Sequence, residues 1–447
     1  MARARVVIVG GGFAGVATAR ELQRIGKKQV DITLVSRQNF MLFTPMLPEV
    51  ASGSLESRDI VQPLRAAIHR SSSGSEASSF ELGEAVGIDA ARRNVTVRHP
   101  LTHDSRVIEY DELVLALGAT SSTMNIPGVA KFTVPLKTIA DAEIVRSRVV
   151  GALEVASTTH DLIERDRLLR FVIVGGDFTG VELAGELQAF LDSILGYYTG
   201  IDRRHVELLV LESGERLLAH LPERFGKYAA SVLSKRGVRL MLKQDVSAVD
   251  SHGVVLKSGE RLASGTVLWA AGVKPSPLAE SLGLQTTKHG AIETGGDFAV
   301  AAAPHVWAVG DCAAVPKAQG GTYAPLAQNA IREGPALAKN ILARLRGKAT
   351  RNFRYRELGQ MASLGNRQAV AELPGGHMVT GFAAWLMWRT YYLGRLPGLS
   401  QKTHVALDWT LGLAFPQQTS RLPMIEMGER AFAQYADHED TAHAANR

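Results

Sequence analysis

The sequence predicts an α/β fold with two Rossmann-like dinucleotide-binding domains and a helical C-terminal region. Two glycine-rich turns lie about 165 residues apart, and each stands between a short apolar run and a helical pattern. This order of strand, turn and helix is the signature of a βαβ unit. A basic segment that contains tryptophans follows the second unit and forms the third part.

Five apolar runs predict the buried parallel strands of these units, because they are rich in β-branched residues and do not alternate with polar ones. Helical patterns at 15–25 and 180–195 follow two of the runs. The runs are residues 6–9, 113–117, 171–174, 266–270 and 306–309.

Composition limits the class of protein. The chain has 447 residues, of which 46% are hydrophobic and 21% charged, enough for two or three ordinary globular domains. The single cysteine, Cys312, excludes a disulfide framework, a CxxC pair and a thiolate cluster, and we predict no metal site. No secretory signal is recognised. The apolar stretch 373–388 is shorter than the roughly 20 residues of a membrane span. We therefore expect a cytoplasmic setting without disulfides.

The first glycine turn contains Gly10, Gly12 and Gly15 in the pattern GxGxxG. In this pattern the first glycine permits the tight turn, the second lets a pyrophosphate approach the backbone, and the third lets the helix pack on the strand. The phosphates then lie at the helix N-terminus, where the dipole favours anions. The turn therefore predicts a bound dinucleotide.

The next strand of this unit ends in Ser36 and not in the usual acid. A serine can hydrogen-bond a ribose hydroxyl, but more weakly than an ionised carboxylate. We expect Ser36 at the ribose and Arg37 over the adenine.

The second turn contains Gly175, Gly176 and Gly180, but Asp177 replaces its middle glycine. Two interpretations follow. In one, the loop shifts and a nicotinamide cofactor still binds; in the other, the site is degenerate. Glu212, at the end of the following strand, is placed to accept from both ribose hydroxyls, which favours NADH over NADPH. If the carboxylate of Asp177 repels the pyrophosphate, Asp177→Gly lowers the Michaelis constant for NADH.

Positive charge is concentrated near the C-terminus. Residues 339–402 contain three Lys and eight Arg against two Glu, which suggests a lipid surface or a nucleic acid as partner. Apolar residues recur at helical spacing among these charges, which favours helices on an anionic membrane surface and no nucleic acid. The alternative is a helical hairpin packed on the protein or on a second subunit, so a homodimer is left open. The two stripes are Trp385, Trp388, Tyr392 and Leu396, and Leu407, Leu411, Ala414 and Phe415.

Several longer motifs resemble the flavoproteins with two dinucleotide-binding domains and, within them, type II NADH dehydrogenase. The resemblance covers residues from about 5 to about 422. Besides the two turns, it is carried by residues 40–51, 178–187, 269–273, 309–311, 327–334 and 381–388.

The resemblance implies non-covalently bound FAD as well as NADH. The ribityl and phosphate part of FAD would contact Gly310 and Asp311. The flavin ring would lie near Thr44 and Pro45. Glu182 would lie near the contact of nicotinamide and flavin; the alternative for Glu182 is an ordinary acid favoured by the helix dipole. We also assign Gly118 and Gly272 to the cofactor-binding residues.

On the acceptor side, Ala327 and Gln328 would lie where a quinone approaches the ring. The family has a second Gln four residues after the first, and here that position is Arg332. The i, i+4 spacing places both side chains on one helix face. Arg332 either stabilises a reduced quinone anion or narrows the quinone passage. Together with Glu182, these two side chains, Gln328 and Arg332, are the predicted catalytic residues.

The predicted function is hydride transfer from NADH to FAD and then electron transfer to a membrane quinone, without proton pumping, at the cytoplasmic face of the inner membrane. One cysteine argues against sulfide:quinone oxidoreductases and disulfide reductases. Two alternatives remain: a reductase of a soluble electron carrier, and an FAD-binding protein with a degenerate nicotinamide site.

The predicted domain boundaries follow from these motifs. Residues 1–125 and 288–340 form the FAD-binding domain, 126–287 the NADH-binding domain, and 341–447 the membrane-association region. The serine-rich segment 71–79 is predicted to be a loop, and the polar tail after Glu426 is predicted to be frayed.

Overall fold

The computed structural model describes residues 3–68, 78–301, 303–355, 359–396 and 398–412, together with 415, 417, 419 and 420. The chain forms two compact units. Unit 1 comprises Met1–Leu42, Val61–Ser122 and Val273–Glu357, and unit 2 comprises Phe43–Ile60, Thr123–Gly272 and Leu358–Arg447. The tail after Glu426 lies outside the described residues, and the predicted boundaries at 125 and 287 stay predictions.

The described residues form twelve α-helices. In chain order they are α1 (Phe13–Gly26), α2 (Leu47–Ala51), α3 (Leu64–Ile68), α4 (Val129–Phe132), α5 (Ile139–Thr158), α6 (Leu162–Leu168), α7 (Phe178–Ile194), α8 (Glu223–Lys235), α9 (Leu278–Ser281), α10 (Ala327–Leu345), α11 (Gly381–Arg395) and α12 (Leu399–Leu411). Within the described ranges, none of them combines the length and the hydropathy that crossing a membrane requires.

Unit 1 is built on a five-stranded parallel sheet. Its spatial order is Val306–Ala308, Glu112–Leu115, Ala4–Val9, Val30–Ser36 and Ser78–Leu82. Shorter antiparallel pairs join Phe40–Leu42 with Val61–Pro63 and Ala119–Ser121 with Val273–Pro275, and Ile292–Glu293 pairs in parallel with Ala313–Ala314. An antiparallel meander of Glu84–Asp89, Asn94–Arg98 and Ser105–Glu109 completes the strands.

The central strand of unit 1 explains why its sequence does not alternate. Val6 and Ile8 enter one buried cluster, which includes residues of α1 and α10. Val7 and Val9 enter a second cluster, which includes residues of the meander. Both faces of the strand are thus buried, as in other covered parallel sheets.

Unit 2 repeats this design. The spatial order of its parallel sheet is Val134–Pro135, Thr266–Trp269, Arg170–Val174, Glu207–Glu212 and Val238–Leu242. A meander of Val246–Asp250, Gly253–Leu256 and Arg261–Ala263 accompanies it. A separate antiparallel sheet of Met361–Ser363, Ala369–Leu373 and His377–Thr380 precedes α11 and α12. The predicted fold class is confirmed.

Two local predictions need correction. Ser78 and Ser79 do not belong to a loop: they begin a strand and pair with Ile32 and Thr33, because backbone pairing does not depend on the low-complexity composition around it. The rest of the predicted loop, 71–77, lies outside the described residues.

The second correction concerns the tryptophan stripe predicted to face a membrane. Trp385, Trp388 and Leu396 are buried within the protein, and Tyr392 packs against Trp388 with 4.7 Å between the ring centroids. Helical spacing identifies an apolar face but does not say what covers it. The second stripe differs: Leu407, Leu411 and Phe415 are exposed, and Ala414 lies outside the described residues.

Candidate functional site

In the first glycine turn, the outer glycines are required by the backbone itself. Gly10 has φ +119°, and a Cβ added to it would lie 2.1 Å from the carbonyl oxygen of Ala116. A Cβ added to Gly15 would lie 1.9 Å from the carbonyl oxygen of Gly10. Real side chains cannot occupy either position, so α1 packs directly on the turn.

Gly12 has a different reason to be glycine. A Cβ there would meet no atom within 4 Å, so the position faces open space. Gly12 is also the N-cap of α1, which has no capping side chain and no acid in its first turn. The positive end of the helix dipole is therefore directed at this space, as an anion site needs. These features fit the pyrophosphate of FAD.

The second segment predicted to bind FAD packs against the same helix. Gly310 has φ +77°, and a Cβ on it would lie 3.0 Å from the Cβ of Ala14. The N–H of Gly310 donates to Glu333 Oε2 at 2.8 Å, which orients the 3₁₀ turn that carries Asp311. Burial raises the pKa of Glu333 to about 7, although the hydrogen bond from Gly310 lowers it. Gly310, Asp311 and Glu333 line a cavity of about 340 Å³ in unit 1.

The remaining predicted FAD residues have the following places. The Oγ of Ser36 lies 2.9 Å from the Cβ position of Gly11, beside the turn. Arg37 is exposed and forms an ion pair with Glu84 at 3.4 Å. Gly118 follows the strand Glu112–Leu115 with φ +69°, and its carbonyl accepts the N–H of Ser276. Their contacts to FAD stay predictions.

Thr44 and Pro45 belong to unit 2, where they form the 3₁₀ turn Thr44–Met46. Gly272, in the same unit, has φ +77°. These three residues stay predicted cofactor contacts.

Ala327 and Gln328 begin α10, which Arg332 also belongs to. Arg332 donates to the carbonyl oxygen of Gln328 at 2.9 Å, and its guanidinium lies 4.4 Å from the ring centroid of Tyr355. The predicted common helix face is therefore present, with Arg332 held along it. Its effect on a quinone stays a prediction.

The second glycine turn has the same backbone as the first. Gly175 has φ +112°, and a Cβ on Gly180 would lie 1.8 Å from the carbonyl oxygen of Gly175. Asp177 has φ −90° and ψ −168°, against −84° and −165° for Gly12. The loop shift that one interpretation required is therefore absent. Asp177 occupies the open position of the turn without backbone strain.

Glu212 lies beside this turn, as expected for a ribose ligand. Its Oε2 accepts the N–H of Gly176 at 2.6 Å, and its Oε1 accepts the N–H of Gly214 at 2.7 Å. These bonds hold the carboxylate at the end of its strand. Oε1 also accepts the hydroxyl of Ser213 at 3.3 Å, whereas Oε2 has a second lone pair, which leaves acceptor capacity for a hydroxyl group.

Glu182 is a buried carboxyl and not an exposed acid of the first helical turn. It accepts the N–H of Ser363 at 3.1 Å and the indole N–H of Trp388 at 3.3 Å. Burial raises its pKa to about 8, even though both hydrogen bonds lower it. The explanation by the helix dipole alone does not account for these partners.

Glu182 belongs to a group that sequence reasoning missed. We call Glu49, Glu182 and Glu186 the carboxylate cluster; all three are buried. Glu49 accepts the indole N–H of Trp409 at 3.0 Å, and Glu186 accepts the hydroxyl of Ser363 at 3.1 Å. Burial raises the pKa of both. A signal was available for two members, since Glu182 and Glu186 stand four residues apart in the stretch 180–187, whose other residues are apolar.

Arg389 of α11 supplies positive charge to the carboxylate cluster. It favours the charged forms of Glu49 and Glu186, and its guanidinium lies 4.0 Å from the ring centroid of Trp385 and 4.5 Å from that of Trp409. Within unit 2, the C-terminal helices thus pack on the rest of the unit through tryptophans, one arginine and buried carboxyls.

The raised pKa of Glu182 predicts a pH-dependent contribution to stability. An unfolded glutamate titrates near pH 4.3, so between that pH and about 8 the folded state binds the extra proton. The contribution of Glu182 is therefore complete below about pH 4 and is lost as pH rises through 8. Glu182→Gln should unfold at nearly the same urea concentration as the wild type at pH 4 and at a higher one at pH 9.

The control is Glu223→Gln on the exposed surface of α8, which should not gain stability at pH 9. Equal urea midpoints of Glu182→Gln and the wild type at both pH values would contradict a protonated Glu182.

The comparisons with known proteins agree with this site. Residues 4–334 match the family described as pyridine nucleotide-disulphide oxidoreductase, so the chain belongs to that class of two-domain flavoproteins. Residues 358–414 match the NDH2 C-terminal domain. Within the class, the chain is a member of the NDH2 family, the type II NADH:quinone oxidoreductases.

Two relatives come from Mycobacterium tuberculosis. The type II NADH:quinone oxidoreductase Ndh is 33% identical over 421 residues, covering 92% of this chain and 88% of its own. The type II NADH:quinone oxidoreductase NdhA is 32% identical over 466 residues, which cover 99% of this chain and 96% of NdhA. The fold is similar to that of NDH2 from Plasmodium falciparum in complex with NADH, with a TM-score of 0.85 and 20% sequence identity. The match covers 94% of this chain and 100% of the Plasmodium chain.

Proposed function

We propose that the chain catalyses the oxidation of NADH by a membrane quinone, with FAD as its bound cofactor and without proton pumping. Membership of the NDH2 family carries this assignment. The intact second glycine turn supports it, because Asp177 leaves the backbone of the turn unchanged. When bound, FAD accepts the hydride of NADH and passes two electrons to the quinone.

The residues of the chain then bind FAD and NADH and orient them. The open position at Gly12 and the N-terminus of α1 receive the FAD pyrophosphate, and Asp311 meets the ribityl chain. The turn from Gly175 to Gly180 receives the NADH pyrophosphate, and Glu212 accepts from its ribose hydroxyls. A 2′-phosphate would be repelled by Glu212, so NADPH should be the poorer donor.

On the acceptor side, we propose that Gln328 and Arg332 face the quinone. Arg332 is held against the carbonyl of Gln328, so its charge has a defined place for a reduced quinone anion. Glu182, neutral at pH 7 because of burial, holds a proton that no exposed glutamate would retain. We assign FAD binding to 1–125 and 288–340 and NADH binding to 126–287.

The test of this function is anaerobic addition of NADH to the purified FAD-containing protein, followed by the visible absorption band of the flavin. We expect rapid bleaching with NADH, much slower bleaching with NADPH, and return of the band when a quinone is added. Absence of bleaching with FAD bound would refute the nicotinamide site. Bleaching that only a soluble carrier reverses would favour a reductase of that carrier.

We further propose that the exposed faces of α11 and α12 bind an anionic lipid surface at the cytoplasmic face of the inner membrane. Large apolar side chains are exposed on both helices. The same helices carry the exposed Arg395 and the half-buried Lys402. Apolar residues beside basic ones suit helices that lie in the membrane interface. The exposed residues are Phe382, Leu386, Leu399, Leu407 and Leu411, and Phe415 follows α12.

This surface is tested by flotation with anionic vesicles at low salt. The double variant Leu386→Asp/Leu407→Asp should lose most vesicle binding and keep its NADH-dependent flavin reduction. The control is Ile163→Asp on α6, an apolar residue that is even more exposed; this variant should bind vesicles as the wild type does. Equal binding by all three proteins would exclude the α11–α12 face.

A further inference from the structure

The second glycine turn carries two carboxylates where the first carries none. Glu212 occupies the place of Ser36, and Asp177 occupies the place of Gly12. A pyrophosphate is itself an anion, so two additional negative charges at the turn oppose its binding. The turn therefore needs a compensating group.

His220 is in position to compensate. Its Nδ1 lies 2.7 Å from Asp177 Oδ2; because a carboxylate only accepts, the imidazole N–H is the donor. The other oxygen, Oδ1, is buried and accepts no hydrogen bond within the described residues. His220 thus supplies the hydrogen bond of this carboxylate and, when protonated, its counter-charge.

The loop that carries His220 is tied to the glycine turn. The N–H of Leu218 donates to the carbonyl oxygen of Gly176 at 2.9 Å, and Leu218 has φ +51°. A side-chain carbon of Leu217 lies 2.6 Å from the Cβ position of Gly176. The backbone therefore brings the loop of His220 to the turn, and the largely exposed His220 side chain reaches Asp177 from there.

The charged neighbours do not provide an alternative partner. Glu212 is a carboxylate and is engaged by the N–H groups of Gly176 and Gly214. Arg216, on the same loop, donates to the carbonyl oxygens of Ala219 and Leu221. Among the contacts described for Asp177, the partner that can carry a positive charge is His220.

We infer that His220 is an affinity-determining residue of the NADH site: it holds the Asp177 carboxylate and offsets its charge, so that a dinucleotide pyrophosphate binds despite the aspartate. This inference rests on the proposed NADH-dependent function and adds a residue that the glycine-turn pattern does not contain.

The test measures binding of ADP-ribose to the FAD-containing protein by titration calorimetry, because ADP-ribose has the pyrophosphate but no nicotinamide. His220→Ala should weaken binding about tenfold, the effect of one uncompensated charge a few ångströms away at a partly solvated site. Asp177→Gly should bind at least as tightly as the wild type. The double variant should match Asp177→Gly within about twofold, because no carboxylate is left to compensate.

Three controls distinguish the loss of the His220 charge from a general disruption of the NADH site. His220→Lys should restore most of the affinity by returning a cation. His252→Ala removes another exposed histidine of unit 2 and should have no effect. Oxidation of reduced nicotinamide mononucleotide, which lacks the pyrophosphate, should be equal in the wild type and His220→Ala.

Two results would overturn the inference: unchanged ADP-ribose binding by His220→Ala, or an equal loss when His220→Ala is made in the Asp177→Gly background. Failure of the proposed function looks different, because then the wild type itself would bind neither ADP-ribose nor NADH.

Discussion

Gly15→Val is expected to yield no folded, FAD-containing protein. A Cβ at this position would lie 1.9 Å from the carbonyl oxygen of Gly10 and 3.4 Å from the Cβ of Ala116. Because the first of these atoms is backbone, α1 would have to move off the sheet, which disrupts the core of unit 1. Circular dichroism and the ratio of flavin to protein absorbance measure the outcome.

Gly12→Val is the informative partner of this variant. Its Cβ meets no atom within 4 Å, so the protein should fold with native circular dichroism. Asp177 at the equivalent position is hydrogen-bonded to His220, but a branched valine has no such partner and would occupy the space of the pyrophosphate. We therefore expect FAD binding to weaken by about 3 kcal/mol, the cost of a severe overpacking. Full FAD content in Gly12→Val would show that the pyrophosphate does not lie over this turn.

Arg389→Ala is expected to destabilise unit 2 by about 3 kcal/mol. The substitution removes two stacking contacts with tryptophans, each worth roughly 1 kcal/mol when partly desolvated. It also removes the positive charge that favours the ionised forms of the buried Glu49 and Glu186, and a buried carboxyl that loses a nearby opposite charge is costlier to bury in its ionised form. Urea unfolding followed by tryptophan fluorescence measures the change.

Arg395→Ala is the matched control on the same helix. Arg395 is exposed, and its guanidinium lies 5.3 Å from the ring centroid of Tyr391, so its loss should change stability by less than about 0.5 kcal/mol. Arg389→Lys should recover only part of the loss, because an ammonium group lacks the planar face that stacks on indole rings. Equal effects of Arg389→Ala and Arg395→Ala would contradict a structural role for the cluster.

The parts of the fold that could be predicted from the sequence are those that depend on short-range backbone contacts and on the apolar pattern of a single segment. The glycine turns were predictable because Gly10, Gly15, Gly175 and Gly180 each face a backbone atom only a few residues or one strand away. The buried parallel strands were predictable because residues on both of their faces are apolar.

The parts that could not be predicted from the sequence depend on contacts between residues that are far apart in the chain. Trp388 donates to Glu182 across 206 positions of the chain, and Trp409 donates to Glu49 across 360. A tryptophan stripe has the same spacing whether lipid or protein covers it, so the sequence alone did not exclude an outward face. The pair of His220 and Asp177 has no spacing rule at all, because a loop brings the two side chains together.

The equal backbones at Gly12 and Asp177 have a consequence for how such proteins vary over time. At the outer positions the polypeptide itself admits only glycine, whereas the middle position is restrained only by what binds over it. Mutations at the middle position therefore change ligand affinity and not folding, so selection acts on them through ligand binding. A motif search that insists on a middle glycine would overlook functional descendants, and a designer can adjust cofactor affinity at this single position without rebuilding the domain.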